Sequence, residues 1–308
     1  MEPCGGSAVR RWGAALTASA AAIAVALPSA NAEAAAGPPG IAAKGAFLLD
    51  SDANRSLWGK AADTRRQMAS TTKIMTAVVV VDDHATELNR RVKIKQSYRD
   101  WVQRNQASTA DLRTGDELTV RQLLYGMMLP SGCDAAYALA DALGDGATEQ
   151  ERTASFVARM NEKARALGMS NTHYDSFDGI SAGGGNYSTP RDLAKLARHA
   201  MDDRTLLTVM KSLTTQQKAA NVNRLYTWYN TNKLLGSYQG VLGIKTGSTR
   251  AAGPCLVFAA RRSGRTVVGV VLDDRTGRYP DAAKMLDYAY GERTSLKLRQ
   301  LPMGAHED

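Results

Sequence analysis

Histidine is scarce in this chain, with four among 308 residues. His84, His173, His199 and His306 are scattered and show no metal-ligand spacing. Neither a Ser-His-Asp triad nor a metal centre is expected, and no cofactor is implied. Cysteine is nearly as rare, with three. Cys4 falls in a leader described below, leaving Cys133 and Cys255. Two cysteines do not make a disulfide scaffold. One bridge between them is open in an oxidising compartment; two free thiols are the expectation, because Cys133 has a place in the candidate site. Aromatic residues are 6% of the chain, and no dense basic run is interleaved with them. Nucleic acid is therefore not an expected partner. Past the leader, no apolar run is long enough to span a bilayer, so membrane contact is expected to be peripheral at most.

What is present is enough for a packed core: 44% of the residues are hydrophobic. Residues 1–32 read as a secretory signal peptide. Arg10 and Arg11 form a positive start, 13–27 is a small-residue apolar run, and Ala30-Asn31-Ala32 is a cleavage site. A membrane anchor is the weaker reading, since the run is short and stops at Pro28. Without Arg10, Arg11 and Glu2, the 39 basic and 30 acidic residues become 37 and 29. That surplus serves solubility or attraction to an anionic surface outside the cell.

Residues 33–42 read as a loose linker, 43–292 as one catalytic domain and 293–308 as a short tail. Strands are expected at 46–50 and 56–60, joined by a turn over Ser51 to Asn54. An apolar helix follows Ser70. Helices are expected over 119–129, stopped by Pro130, then over 134–143 and 154–167. Thr189-Pro190-Arg191-Asp192 is a helix start, with Thr as cap and Pro in first position. Strands at 241–244, 255–260 and 266–272 come next, the last two joined by a hairpin at Ser263-Gly264, and a helix covers 281–290. Strands at both ends and helices between them predict an α/β (α+β) fold. One antiparallel sheet of about five strands is flanked by helices, with an all-helical region inserted.

Three motifs carry the chemistry: Ser70-x-x-Lys73, Ser131-Gly132-Cys133 and Lys245-Thr246-Gly247. At a helix start, Ser70 gains a partly positive backbone environment, and Lys73 lies one turn on, within reach as a base. Taken singly each motif is weak. Ser70 would serve equally as a helix cap, Lys73 as a solvated charge and Thr246 as a strand residue. Their order and placement add weight. Ser131 follows the stop at Pro130, and Lys245-Thr246-Gly247 is expected to end a strand, with Gly247 permitting close approach.

That arrangement resembles the serine enzymes that react with penicillin. The runs around 123–136, 167–174, 188–194 and 243–253 resemble the low-molecular-weight D-alanyl-D-alanine carboxypeptidases of peptidase family S11, of the Ser-Gly-Cys actinomycete type. The resemblance covers about residues 40–290. It implies a β-lactamase/transpeptidase-like fold and a secreted enzyme on the cell-wall side of a bacterial membrane. It further implies that Ser70 forms an acyl-enzyme with peptidoglycan stem peptides ending in D-Ala-D-Ala, with β-lactams as covalent inhibitors. Lys73 would be the base, and Ser131 the bridge to the leaving amine. The backbone N–H groups of Ser70 and Ser248 would form the oxyanion hole, Lys245 and Thr246 would hold the substrate carboxylate, and Gly247 would let the strand approach the substrate. Arg275 and Arg278 would contribute there or stand in a solvated loop.

Cys133 departs from the usual Asn of the second motif. A thiol replaces an amide poorly as acceptor and donor, which opens the alternative of a mainly amine-accepting DD-transpeptidase. A class A β-lactamase is a rival of the same fold, but its Glu-x-x-Leu-Asn segment is missing between residues 134 and 244. A non-catalytic penicillin-sensing protein is a rival of another class; it predicts the loss of motif residues that are present here. Longer relatives carry a C-terminal β-rich domain and an anchoring helix. This sequence stops about 18 residues after Tyr290, and neither is expected.

Overall fold

The structure is a computed structural model that describes residues 37–83 and 85–305. The expected leader, Cys4, His84 and His306 lie outside the described residues. A hairpin of β1 (Gly45–Asp50) and β2 (Arg55–Lys60) comes first, then a two-residue β3 (Arg66–Gln67). A 3-10 turn over Ala69–Thr72 leads directly into α1 (Lys73–Asp82). The middle of the chain holds β4 (Arg91–Lys93), α2 (Gln96–Asn105), β5 (Glu117–Thr119), α3 (Val120–Met128), α4 (Cys133–Leu143) and α5 (Glu149–Ala166). β6 (Tyr187–Ser188), α6 (Pro190–Asp202) and α7 (Arg204–Lys211) follow, then a hairpin of β7 (Thr214–Lys218) and β8 (Leu225–Tyr229). β9 (Val241–Thr249), β10 (Gly253–Arg262), β11 (Arg265–Leu272) and α8 (Arg278–Tyr290) end the fold.

Both ends of the chain meet in one five-stranded antiparallel sheet, in the order β2-β1-β11-β10-β9. Alternate strand residues face opposite sides. On one side Leu48, Leu256, Phe258 and Val271 meet Ala282, Met285 and Leu286 of α8. On the other, Phe47, Val257, Val268 and Val270 join a core shared with Val78 of α1 and Leu193 of α6. Phe258 faces Gly269 across the strands, and a Cβ on Gly269 would sit 2.1 Å from its ring. The glycine makes room for a fully buried ring worth about 2–3 kcal/mol of burial.

Helix starts follow the side chains. Thr119 and Gln122 cap each other at α3, Thr148 and Glu151 do the same at α5, and Thr189 caps α6 ahead of Pro190. The Thr148 cap starts α5 at Glu149, earlier than the expected 154. Other expectations are corrected. Lys245-Thr246-Gly247 lies inside β9, because Gly247, Ser248 and Thr249 continue to pair with β10. The helices α2 and α7 and the β7–β8 hairpin had no counterpart in the sequence reading. The described part of the loose linker is tied down: Ala42 donates from its backbone N–H to Asp281, as does Ala43 just after it, and Lys60 reaches the Ile41 carbonyl at 2.7 Å. Among the described residues, no helix is long and apolar enough to cross a membrane.

Candidate active site

The turn before α1 is held in place by its own side chains. Ala69 adopts a positive φ of 48°, a conformation unfavourable for a residue with a Cβ. Thr71 Oγ1 donates to the Met68 carbonyl at 2.7 Å and Thr72 Oγ1 to the Ala69 carbonyl at 2.8 Å. Asn186 Nδ2 donates to Thr72 Oγ1 at 2.6 Å. This frame presents Ser70, half-buried, at the mouth of a cleft of ≈ 710 Å³. Cys133, Gly179, Ile180, Ser248 and Arg250 also line it.

Lys73 is fully buried at the first position of α1. Its Nζ donates to Ser70 Oγ at 2.9 Å, to the Asp178 carbonyl at 2.9 Å and to Cys133 Sγ at 3.3 Å. Burial pushes the Cys133 thiol up to about 12, with Lys73 pulling the other way. The sulfur therefore faces Lys73 as a protonated thiol. Ser131, at φ 65°, makes the turn between α3 and α4. Ser108 fixes this turn: its Oγ donates to the Ser131 carbonyl at 2.7 Å, and its backbone carbonyl accepts the Cys133 N–H at 2.9 Å. Ser131 Oγ is buried and carries no hydrogen bond, so the second motif meets Lys73 through Cys133.

The opposite wall is β9. Gly247 crosses the turn so closely that a Cβ would lie 2.8 Å from the Ser70 nitrogen. Gly179 does the same from the other side, 2.2 Å from the Ala69 carbonyl oxygen and at φ +96°. Lys245 and Thr246 are buried, and Thr246 Oγ1 is 2.8 Å from Thr231 Oγ1. Ser248 is exposed at the cleft. Arg278 is buried behind the strand, donating to the Gly247 carbonyl at 3.1 Å and the Cys255 carbonyl at 3.2 Å. Arg275 is at the surface, paired with Asp273 at 2.8 Å. Arg278 thus supports the strand from behind, and Arg275 stands in the surface-loop alternative.

All three motifs converge on one cleft. The sequence reading missed Ser108, Thr231, Asp178 and Gly179, none of which belongs to a motif. A Gly at 179 beside an acidic residue was the only signal. Cys133 and Cys255 are both free, buried thiols. Among the described residues, no cluster of three His, Cys, Asp or Glu side chains could hold a metal ion.

The S11 peptidase family, described as D-alanyl-D-alanine carboxypeptidase, matches residues 32–276. The chain belongs to this family. The D-alanyl-D-alanine carboxypeptidase of Streptomyces sp. (strain K15) is 50% identical over 258 residues, covering 82% of this chain and 88% of that protein. The carboxypeptidase DacF of Bacillus subtilis is 32% identical, covering 81% of this chain and 62% of its own length. The crystal structure of the Streptomyces K15 DD-transpeptidase superposes with a TM-score of 0.80 at 50% identity, covering 83% of this chain and all of that one. The Mycobacterium tuberculosis D-alanyl-D-alanine carboxypeptidase superposes at 0.73 with 29% identity, covering 86% of this chain and 97% of that one. The family match makes this DD-peptidase a serine-type enzyme of the acyl-enzyme class, and the expected fold is the observed one.

Proposed function

We propose that this DD-peptidase removes the terminal D-Ala of peptidoglycan stem peptides through an acyl-enzyme on Ser70. The observation that carries this reading is the 2.9 Å hydrogen bond from Lys73 Nζ to Ser70 Oγ at the mouth of the cleft. In the attack, Ser70 Oγ bonds to the carbonyl carbon between the two D-alanines, and the Ser70 proton passes to Lys73. The Ser70 and Ser248 N–H groups stabilise the oxyanion. The C–N bond then breaks, and the amine of D-Ala leaves with a proton relayed through Ser131. Lys245 and Thr246 hold the departing carboxylate, and Gly247 lets β9 approach Ser70. For this relay, Ser131 Oγ must turn towards Lys73 once the substrate has entered.

A second reading rests on Cys133. With a thiol where an amide is usual, the acyl group passes mainly to an amine, in transpeptidation. A relative 50% identical is described as a DD-transpeptidase. β-Lactams enter either reaction as covalent inhibitors, since no Glu-x-x-Leu-Asn segment supplies a deacylating base. Export to the cell-wall side of a bacterial membrane is part of the proposal. It is supported by the Arg10-Arg11 start, the apolar run and Ala30-Asn31-Ala32, and cell shape is the process served.

The test is labelling with a fluorescent penicillin, together with product analysis on a diacyl-Lys-D-Ala-D-Ala substrate, with and without an amine acceptor. A persistent label that vanishes in Ser70→Ala, with D-Ala released, is expected. Loss of the label within seconds, or unchanged D-Ala release in Ser70→Ala, sinks the reading.

A further inference from the structure

Arg250 is a cation of the cleft that the reaction above leaves unused. It directly follows Thr249, the last residue of β9, and is exposed where it lines the cleft that holds Ser70. Its main-chain carbonyl accepts Arg275 Nη2 at 3.4 Å, which ties the loop between β9 and β10 at the backbone. Among the described residues, no ion pair or hydrogen bond engages its guanidinium. The acid that borders this loop at Gly253 is Asp273, and it is taken: Lys44 and Arg275 each pair with it at 2.8 Å. The cleft lining itself holds no aspartate or glutamate; from the end of α2 it has the exposed amides Asn105 and Gln106. An exposed cation in a cleft without acids attracts an anion.

The direction of β9 says which part of the substrate Arg250 meets. In the proposed reaction Lys245 and Thr246 take the departing carboxylate, and the Ser248 N–H takes the reacting carbonyl. Continuing along the strand in that direction leads away from the leaving D-Ala and towards the acyl part. β9 is the edge strand of the sheet, and Ser248 and Thr249 line the cleft just before Arg250. At about 3.3 Å per residue, Arg250 stands about 7 Å past Ser248. An extended peptide rises by the same step, so Arg250 is level with the second residue before the reacting D-Ala. A guanidinium presents paired N–H donors that match a carboxylate.

We propose that Arg250 is a specificity-determining residue for the DD-peptidase reaction: its guanidinium takes a carboxylate borne on the acyl part of the substrate, at the second residue before the reacting D-Ala. The preferred acyl donors are therefore peptides with an acidic group at that position, in addition to the terminal carboxylate. This rests on the roles proposed for Lys245, Thr246 and Ser248, since they fix the direction in which the substrate lies.

The experiment measures D-Ala release, which hydrolysis and amine transfer share, by the whole protein on two peptides. One is Nα,Nε-diacetyl-Lys-D-Ala-D-Ala. The other carries Nα-succinyl in place of Nα-acetyl, which sets a carboxylate where the second residue before the reacting D-Ala would stand. The readout is the ratio of kcat/KM between the two peptides, in wild type, Arg250→Lys, Arg250→Gln and Arg250→Glu. Wild type is expected to favour the succinyl peptide by about threefold to fivefold, the scale of an exposed ion pair. Arg250→Lys keeps part of that preference, Arg250→Gln loses it and Arg250→Glu reverses it. In wild type the preference falls as salt is raised. A disturbance of the loop slows both peptides alike and leaves the ratio where it was. An unchanged ratio in Arg250→Gln, or a wild type that treats the two peptides alike, overturns the inference. Wild type that releases D-Ala from neither peptide, or release that persists in Ser70→Ala, overturns the reading under Proposed function and this one with it. Release that depends on Ser70, with a ratio indifferent to residue 250, overturns this inference alone.

Discussion

Lys73 Nζ lies 3.3 Å from Cys133 Sγ, at the position where an amide oxygen is usual in the second motif. The sulfur receives the bond weakly and offers a substrate amide neither a strong acceptor nor a paired donor. Cys133→Asn restores both. The expected outcome is a several-fold shift from amine transfer towards hydrolysis, read from the product ratio on a diacyl-Lys-D-Ala-D-Ala substrate with an added amine. An unchanged ratio would remove Cys133 from any role in the partition. Burial pushes the Cys133 thiol up to about 12 and leaves it 2% exposed, so slow alkylation is expected in the folded protein.

Gly179→Ala tests how tightly the loop before β6 is pressed against the nucleophile turn. The new Cβ would lie 2.2 Å from the Ala69 carbonyl oxygen, and φ +96° strains any side chain there. Backbone meets backbone, so something must shift, and Ser70 is the next residue. Acylation by penicillin is expected to slow by about 100-fold, the usual penalty for a misplaced reacting group. A variant acylated at the wild-type rate would show that the turn tolerates the shift.

Asp141 holds the helical region together from α4. It accepts Lys95 Nζ at 2.7 Å, the Tyr98 hydroxyl at 2.5 Å and Arg152 Nε at 2.7 Å. Burial alone would raise its pKa, but these three bonds outweigh that and hold it below the usual carboxylate value. A lowered folded pKa gives stability that is fully present above the unfolded value of about 3.9 and is lost as pH falls through the folded value. Asp141→Asn is expected to cost about 2 kcal/mol near neutral pH. In acid denaturation the gap between variant and wild type closes below about pH 4. A gap that stays constant down to the acid transition would count against this role.

Arg299 reaches back from the C-terminal segment to the loop between β8 and β9. It donates to the carbonyls of Leu235 at 2.8 Å, Asn232 at 3.1 Å and Asn230, while its backbone N–H meets Ser237 Oγ at 2.8 Å. Thr231, which touches Thr246, stands in the same loop. Arg299→Ala is expected to lose about 1–3 kcal/mol, because carbonyls in this loop lose their donor. KM for the peptide should rise more than kcat falls, since Thr246 is the end of the chain of contacts. Thermal melting and steady-state kinetics check this; a variant with native melting and native KM would show the segment to be a passive tail.

Much of the fold was legible because local chemistry and tertiary packing agreed. Thr189-Pro190 starts a helix in any context, Ser263-Gly264 turns a hairpin, and both did so here. The β7–β8 hairpin was not legible. β7 reads Thr-Thr-Gln-Gln-Lys, a polar run with no apolar alternation to mark a strand. The α2 helix buries only Tyr98 among its ten residues, so it has no apolar stripe to find. β9 was read as ending at Lys245-Thr246-Gly247, because Gly247 and Ser248 look like a strand end until β10 pairs with them.

The order of residues was enough to single out the proposed reacting groups. Ser70 and Lys73 are three apart on one turn, so their contact is local and almost independent of the rest of the chain. The family, the three motifs and the substitution at Cys133 follow from letters alone. What surrounds Lys73 is set by contacts between residues 60 to 105 positions apart. No local rule brings Cys133 or Asp178 to that amine. Folding does, by closing a sheet from both ends of the chain and pressing a glycine loop against the turn. The proposed base, Lys73, was written in the sequence, and its surroundings were decided only by the packed tertiary structure.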